Sequence, residues 1–312
     1  SMSKILVVGS LIVDVSAHTP HFPVVGETAL GTSLKFGPGG KGNNQATAAA
    51  RAGGEVYMIS KTGKDFLQKI MTDHYKNENM SMKYIYEDEN VGTGSALIEV
   101  DDNGDNRIVV IKDANDKLTA AEVDNAEEDF KDCDVLIMQL ETSEESILEG
   151  KKLAQKYGVP IILNPAPFQK TPEGLFDGID YLTPNETEAE FFTGIPVVDE
   201  NDAEKAAAKL HDMGVKNVII TLGKRGVYYS GEDGYKVLVP TTDLKSVDST
   251  GAGDAFNGGF AVAVAEKMPV DTALKFANCV ASISVTRPGS GPSMPKREEV
   301  LELLERFYKI KL

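Results

Sequence analysis

The residues best suited to chemistry lie in DSTGAGDAFNGGF, Asp248 to Phe260, where a strand-like segment ends, Gly251, Ala252 and Gly253 turn the chain, and an apolar helix opens near Ala252. First-turn amides of a helix lack an intrahelical acceptor and sit at the positive end of its dipole. The amides of Gly251, Ala252 and Gly253 can therefore cradle charge building on a transferring phosphoryl group. Asp254 follows directly. A carboxylate there can take the proton of an attacking hydroxyl as a general base, or it can simply stabilise a helix N-terminus, and this segment alone leaves both open.

A second glycine-rich stretch, FGPGGKGNNQATAAARAGG from Phe36 to Gly54, also turns into a helix. Gly37, Gly39 and Gly42 satisfy G-x-G-x-x-G and Glu55 follows, so a dinucleotide-binding fingerprint, and with it an NAD-dependent oxidoreductase, has to be weighed. Two features oppose it. The preceding TSLKF makes a poor buried parallel strand, and Lys41, Asn43, Asn44 and Gln45 crowd polar donors where a pyrophosphate needs close backbone approach. Such donors suit a polyhydroxylated ligand. Every Gly-Lys pair is followed by Gly, Asp, Lys or Arg, so no P-loop occurs and a P-loop NTPase is excluded. His18, His21, His74 and His211 form no metal-ligand spacing; no zinc is expected, and His18 and His21 read as polar surface.

The elements that must position these residues alternate. Short apolar runs at 5–9, 56–60, 134–140, 159–163, 180–184 and 217–223 fit buried parallel strands. Helical segments lie between them, at 119–131 with Thr119 and Glu122 in capping-box spacing, and at 201–213. The pattern predicts an α/β fold, a doubly wound and mostly parallel sheet flanked by helices. Residues 11–36 read as irregular or extended, and SALIEV and RIVVI flank the turn DDNGDN as a β-hairpin within 93–111. The expected division is a main domain of 1–12, 37–92 and 112–312 and a small β-sheet lid of 13–36 and 93–111. Residues 252–309 read as three helices.

Composition narrows the partners. The 312 residues carry 32 Lys plus Arg against 48 Asp plus Glu, a net −16 that repels a phosphate backbone and argues against nucleic acid. Cys133 and Cys279 read as reduced core residues. Ser1 reads as a cloning residue ahead of the natural Met2, and the run Ile5 to Val8 is too short for a signal peptide or a membrane span, so the expectation is a cytoplasmic protein that does not bind membranes.

Taken in order, GSLIVD (9–14), FPVVGET (22–28), GGKGNNQA (39–46), MQLE (138–141), NPAP (164–167), TPNETEAE (183–190), TLGKRGV (221–227) and DSTGAGDAFNGGF closely resemble the motifs of the ribokinase-like carbohydrate kinases, from Gly9 to about Pro295. The resemblance implies transfer of the γ-phosphate of ATP to the primary hydroxyl of a small furanose such as ribose. It places Ile12, Val13 and Asp14, the turn Gly40, Lys41, Gly42, Asn43 and Asn44, and Glu141 around the sugar. Asp254 becomes the base and the amides of Gly251 to Gly253 the anion hole. Asn185 and Glu188 resemble the pair near Mg²⁺ and the ATP phosphates. Thr221, Leu222, Gly223, Lys224, Arg225 and Gly226 resemble the nucleotide loop, joined by Gly253 and Asp254, and Asn278 falls where the base is contacted. Asp248, Thr250, Ser284, Arg287, Gly289 and Ser293 fall where the family rings an activating K⁺. Pro38, Asn43 and Asp113 depart from the family pattern, which leaves 2-deoxyribose or another small sugar open as substrate. Lid edge strands invite pairing with a second copy, hence an expected homodimer.

Overall fold

The structure is a computed structural model that describes residues 3–312; Ser1 and Met2, with the cloning reading attached to them, lie outside the described residues. In chain order the elements are β1 (Lys4–Val8), β2 (Ile12–His18), β3 (Ser33–Gly39), α1 (Lys41–Arg51), β4 (Glu55–Gly63), α2 (Phe66–Asn77), β5 (Ser81–Asp88), β6 (Gly94–Val100) and β7 (Asn106–Ile111). There follow α3 (Ala120–Asp124), α4 (Glu127–Phe130), β8 (Val135–Met138), α5 (Glu144–Lys156), β9 (Ile161–Leu163), β10 (Tyr181–Leu182), α6 (Glu186–Thr193) and α7 (Glu200–Asp212). The chain ends with β11 (Asn217–Thr221), β12 (Val227–Ser230), β13 (Lys236–Val239), α8 (Ala252–Ala265), α9 (Val270–Ser284) and α10 (Arg297–Tyr308).

Among the described residues the larger sheet has the order β13-β12-β11-β10-β9-β8-β1-β4-β5. Every pair from β11 to β5 is parallel, and β12 and β13 add an antiparallel edge. The cause is visible in β1. Ile5 and Val7 pack into a core with α1, α8, α9 and α10, whereas Leu6 and Val8 pack into a second core with α3 to α7. A strand covered on both faces must be apolar throughout, which is what the run Ile5 to Val8 provides. This is the doubly wound sheet that the alternation predicts.

The smaller sheet has the order β3-β2-β6-β7, with β2 antiparallel to β3 and parallel to β6. Its hairpin β6–β7 turns on Asp101, whose Oδ1 accepts from the amides of Asn103 (3.0 Å) and Asp105 (2.9 Å). Residues 11–36 are thus more ordered than the irregular stretch expected: β2 and β3 occupy much of it, and β3 continues to Gly39.

Other expectations shift for local reasons. The helix expected over 119–131 is two, because Ala126 N–H donates three residues back to Val123 O (3.0 Å) and tightens the chain between α3 and α4. Its capping box is present as the spacing predicts. The run 180–184 yields only Tyr181–Leu182, and among the described residues no strand lies between Val239 and α8; a loop delivers Asp248. The three C-terminal helices are α8, α9 and α10.

Candidate active site

All the parallel strands end on one side, and polar residues follow them there: Ser10 after β1, Gln139 to Glu141 after β8, Asn164 after β9, Thr183 after β10, and Thr221 closing β11. The chain winds from β1 out to β4 and β5 and then returns to β8, so the winding direction switches beside β1. Open α/β sheets bind ligands at that point.

Helix α1 starts in this crevice. A Cβ on Gly42 would stand 2.3 Å from Ser10 N, and one on Gly9 2.7 Å from Gly42 Cα, so only glycine at both positions lets the helix touch the β1 loop. Gly42 N donates to Ser10 Oγ (3.1 Å), while Ser10 Oγ (2.6 Å) and Lys41 N (2.9 Å) both donate to Glu141 Oε1. Gly37 and Gly39 lie in antiparallel β3, and Glu55 opens β4 at the end away from the site. The dinucleotide fingerprint is therefore only a coincidence of spacing, and the oxidoreductase reading falls with it.

Asp14 stands on β2 opposite Gly37, and its carboxylate occupies the space beside Gly39, where a Cβ would come within 2.6 to 2.8 Å of it. Burial pushes the Asp14 carboxyl up to about 6, and the charge of Glu141 adds to the effect.

Asp254, on the first turn of α8, is 8% exposed. Asn44 Nδ2 donates to its Oδ2 (3.0 Å) and Gln45 Nε2 to its Oδ1 (3.1 Å). Burial pushes this carboxyl above the usual carboxylate range, against the Lys41 ammonium and the two amides that hold it down. The Asp254 charge in turn raises Lys41. Gly251 caps α8 in the left-handed region (φ 80°) with no side-chain cap, as an anion site requires. One amide of the expected hole is already engaged: Ala252 N donates to Ser249 O (3.1 Å).

Two clefts meet here. A smaller one of about 180 Å³ is lined by Lys41, Asn164, Thr183, Glu188 and Asp254. A larger one of about 410 Å³ is lined by Thr187, Gly223, Gly226, Thr241, Phe256 and Asn278. Asn185, Thr221, Ala252 and Gly253 line both. Asn185 and Glu188 also close a capping box on α6, with Glu188 N donating to Asn185 Oδ1 (2.8 Å) and Asn185 N to Glu188 Oε1 (3.0 Å). Burial pushes Glu188 up, opposed by the Asn185 amide and Lys41.

Beside α8, Asp248 ties two loops together by accepting from Thr250 N (2.9 Å) and Gly289 N (3.1 Å). Ser284 Oγ donates to Ala281 O and Ser293 Oγ to Ser290 O, and Arg287 pairs with Glu299. Among the described residues no main-chain donor reaches the carbonyls of Asp248, Thr250, Arg287 or Gly289.

Several expected site residues bring no side chain to either cleft. Ile12, Val13 and Leu222 are core residues, and Asn43 is fully buried with both polar atoms unpartnered. Lys224 is exposed, and Arg225, which lines neither cleft, donates to Val198 O and to Glu186 at the edge of the larger one. Asp113 sits at the end of β7 beside Gly92. The sequence reading gave no role to Ser10, Gln139, Asn164, Thr183 or Asn257, and it counted Gln45 among donors to a polyol, whereas Gln45 is fully buried and donates to Asp254 and Asn164. Thr183 Oγ1 donates to Asn257 Oδ1 (2.7 Å), whose Nδ2 donates to Gly253 O (2.8 Å), so this polar set braces the first turn of α8. The available signal was position: four of them stand just past a strand.

A buried, amide-held carboxylate beside an uncapped helix N-terminus, where a polar pocket meets a nucleotide-sized cleft, is the arrangement of a small-molecule kinase. The sequence profile of the pfkB family carbohydrate kinases matches residues 2–297, and the chain belongs to that family. It is 41% identical to the ribokinase of Haemophilus influenzae over 96% of this chain and 97% of that one. It is 36% identical to the deoxyribokinase of Salmonella typhi over 96% and 98% of the two chains. The ribokinase of Arabidopsis thaliana, solved in complex with ribose and ATP, superposes with a TM-score of 0.92 at 30% identity, covering 98% of this chain and 99% of that one.

Proposed function

We propose that this kinase transfers the γ-phosphate of ATP to the primary hydroxyl of D-ribose, giving ribose 5-phosphate. The observation that carries the reading is Asp254, buried in the smaller cleft and one residue from the Ala252–Gly253 wall shared with the larger. ATP occupies the larger cleft, its base near Asn278 and its phosphates toward Thr221, Gly223 and Asn185. The sugar lies among Asp14, Gly40, Lys41, Asn44 and Glu141, whose acceptors and donors match a small polyol. Asn44 Oδ1 is buried with no partner within the protein.

Asp254 takes the proton of the primary hydroxyl, and the oxygen attacks in line while the free first-turn amides of α8 hold the developing charge. Lys41 favours the ionised form of Asp254 against its burial and neutralises charge beside it. Residues 13–36 and 93–111 act as a lid that excludes water. Glu188 and Asn185, facing the shared wall, would hold Mg²⁺, directly or through water; bound there, it supplies charge neutralisation along the phosphates. The free carbonyls of Asp248, Thr250, Arg287 and Gly289 are hard oxygen donors that fit K⁺, which would stiffen the loop bearing Gly251. The lid's exposed row Phe36, Leu97 and Val109, cross-strand neighbours through Val15, supports a homodimer through the lid. Among the described residues no helix is long and apolar enough to cross a membrane.

2-Deoxyribose is the second reading, favoured by the likeness to the Salmonella typhi deoxyribokinase. ADP release measured with ribose, 2-deoxyribose, fructose and adenosine, with and without K⁺, decides between them. A ribose preference with K⁺ activation supports the first reading; a higher kcat/KM for 2-deoxyribose selects the second, and no turnover with any sugar rejects both.

A further inference from the structure

Asp254 is held at both oxygens, and the amide at one of them is itself held. Gln45, on α1, is fully buried, and Gln139, just past β8, is 1% exposed. Gln139 Nε2 donates to Gln45 Oε1 at 2.8 Å. Gln45 therefore turns its nitrogen the other way, and its two N–H bonds go to Asp254 Oδ1 and Asn164 Oδ1, each at 3.1 Å. Asn164 in turn donates from Nδ2 to Thr183 O at 3.0 Å, which fixes its oxygen toward Gln45. Turning the Gln45 amide over would set oxygen against oxygen at Asp254 and Asn164, so the network admits one orientation. Gly9 makes the room, since a Cβ there would lie 2.6 Å from Gln139 Oε1.

We infer that Gln45 and Gln139 are positioning residues, a chain of side-chain amides running from β8 through α1 that fixes the rotation of the Asp254 carboxylate toward the attacking hydroxyl. Asn44, the other donor to Asp254, leaves its Oδ1 without a partner, whereas every bond of Gln45 is made inside the protein; neither residue lines a cleft. One of the Gln45 N–H bonds goes to the base, and the bonds to Asn164 and Gln139 hold the amide in place. A donated N–H also favours the ionised carboxylate. It acts with Lys41 and Asn44 from α1, and against the carboxylates of Glu141 after β8 and Glu188 on α6. The inference rests on Asp254 being the base.

The test compares Gln45→Met and Gln139→Met with Asp254→Asn. Gln45→Met keeps roughly the volume and removes the donor. Its kcat at pH 7 should fall about tenfold or more, with the sugar KM within about threefold. The acid limb of its kcat profile should move up by about one pH unit, the size expected for loss of one charge-assisted hydrogen bond. Gln139→Met, which touches neither Asp254 nor a cleft, should shift kcat and the limb in the same direction by less, and it carries the test if Gln45→Met does not fold. An unchanged kcat and limb in the folded variants, or a rise in sugar KM at constant kcat, overturns the inference. If Asp254→Asn keeps near-normal turnover, the base assignment fails and this inference with it. An inactive Asp254→Asn beside an unaltered Gln45→Met sinks the amide chain alone.

Discussion

Replacing Asp14 by Asn should make the ligand-free protein more stable at neutral pH while it damages sugar binding. Burial and the Glu141 charge move the Asp14 carboxyl from 3.8 to about 6. At about 1.4 kcal/mol per unit, that shift of roughly two units means the ionised group costs the fold at most about 3 kcal/mol. The sign follows from proton binding: the native state holds this proton more tightly than the unfolded chain does. The cost is therefore absent below about pH 4, reaches about half its full size near pH 5, and is complete above about pH 7. Asn fits the same space beside Gly39 and cannot ionise. Thermal unfolding without ligand should show Asp14→Asn melting up to about 5 °C above the parent at pH 7.5 and by about half that margin at pH 5. Isothermal titration with ribose should show binding weakened by about tenfold or more, as expected when a charged hydrogen-bond acceptor is lost. A melting temperature equal to or below the parent's at pH 7.5, or a margin independent of pH, would refute the reasoning.

Other consequences follow from the same geometry. The sugar kcat/KM of the parent should fall as pH drops through about 6, because Asp14 takes up a proton there; a flat profile down to pH 5 would contradict this. Asn185→Ala removes the cap of α6 and should cost about 1 kcal/mol. Because Asn185 lines both clefts, the variant should also raise the KM for ATP, and a purely thermal effect would assign Asn185 to the helix alone. Gly39→Ala places a Cβ within 2.6 to 2.8 Å of the Asp14 carboxylate. Displacing that carboxylate should raise the sugar KM by about tenfold or more while the melting temperature changes little.

What the sequence disclosed was what short-range physics controls. The run Ile5 to Val8 had to be a strand buried on both faces, Thr119 with Glu122 had to cap a helix, and the small residues before Asp254 had to open one. The strands β2 and β3 were harder to see because β3 carries Gly37, Pro38 and exposed side chains, and only the start of β2, at Ile12 and Val13, is buried in the core. The amide chain was not legible at all, since Gln45 and Gln139 stand 94 residues apart and meet only because α1 crosses the ends of β1 and β8. Spacing also misled: Gly37, Gly39 and Gly42 answer three unrelated needs, namely strand pairing opposite Asp14, room for its carboxylate, and contact between α1 and Ser10.

The most direct test of the account is the turnover of Asp254→Asn set beside its affinity for the sugar. The account requires kcat to fall by about 10²- to 10⁴-fold, the share a positioned base supplies, with sugar binding held within a few-fold. Near-normal turnover would contradict the assignment of Asp254 as the base, and a loss of sugar binding equal to the loss in kcat would place Asp254 in binding instead.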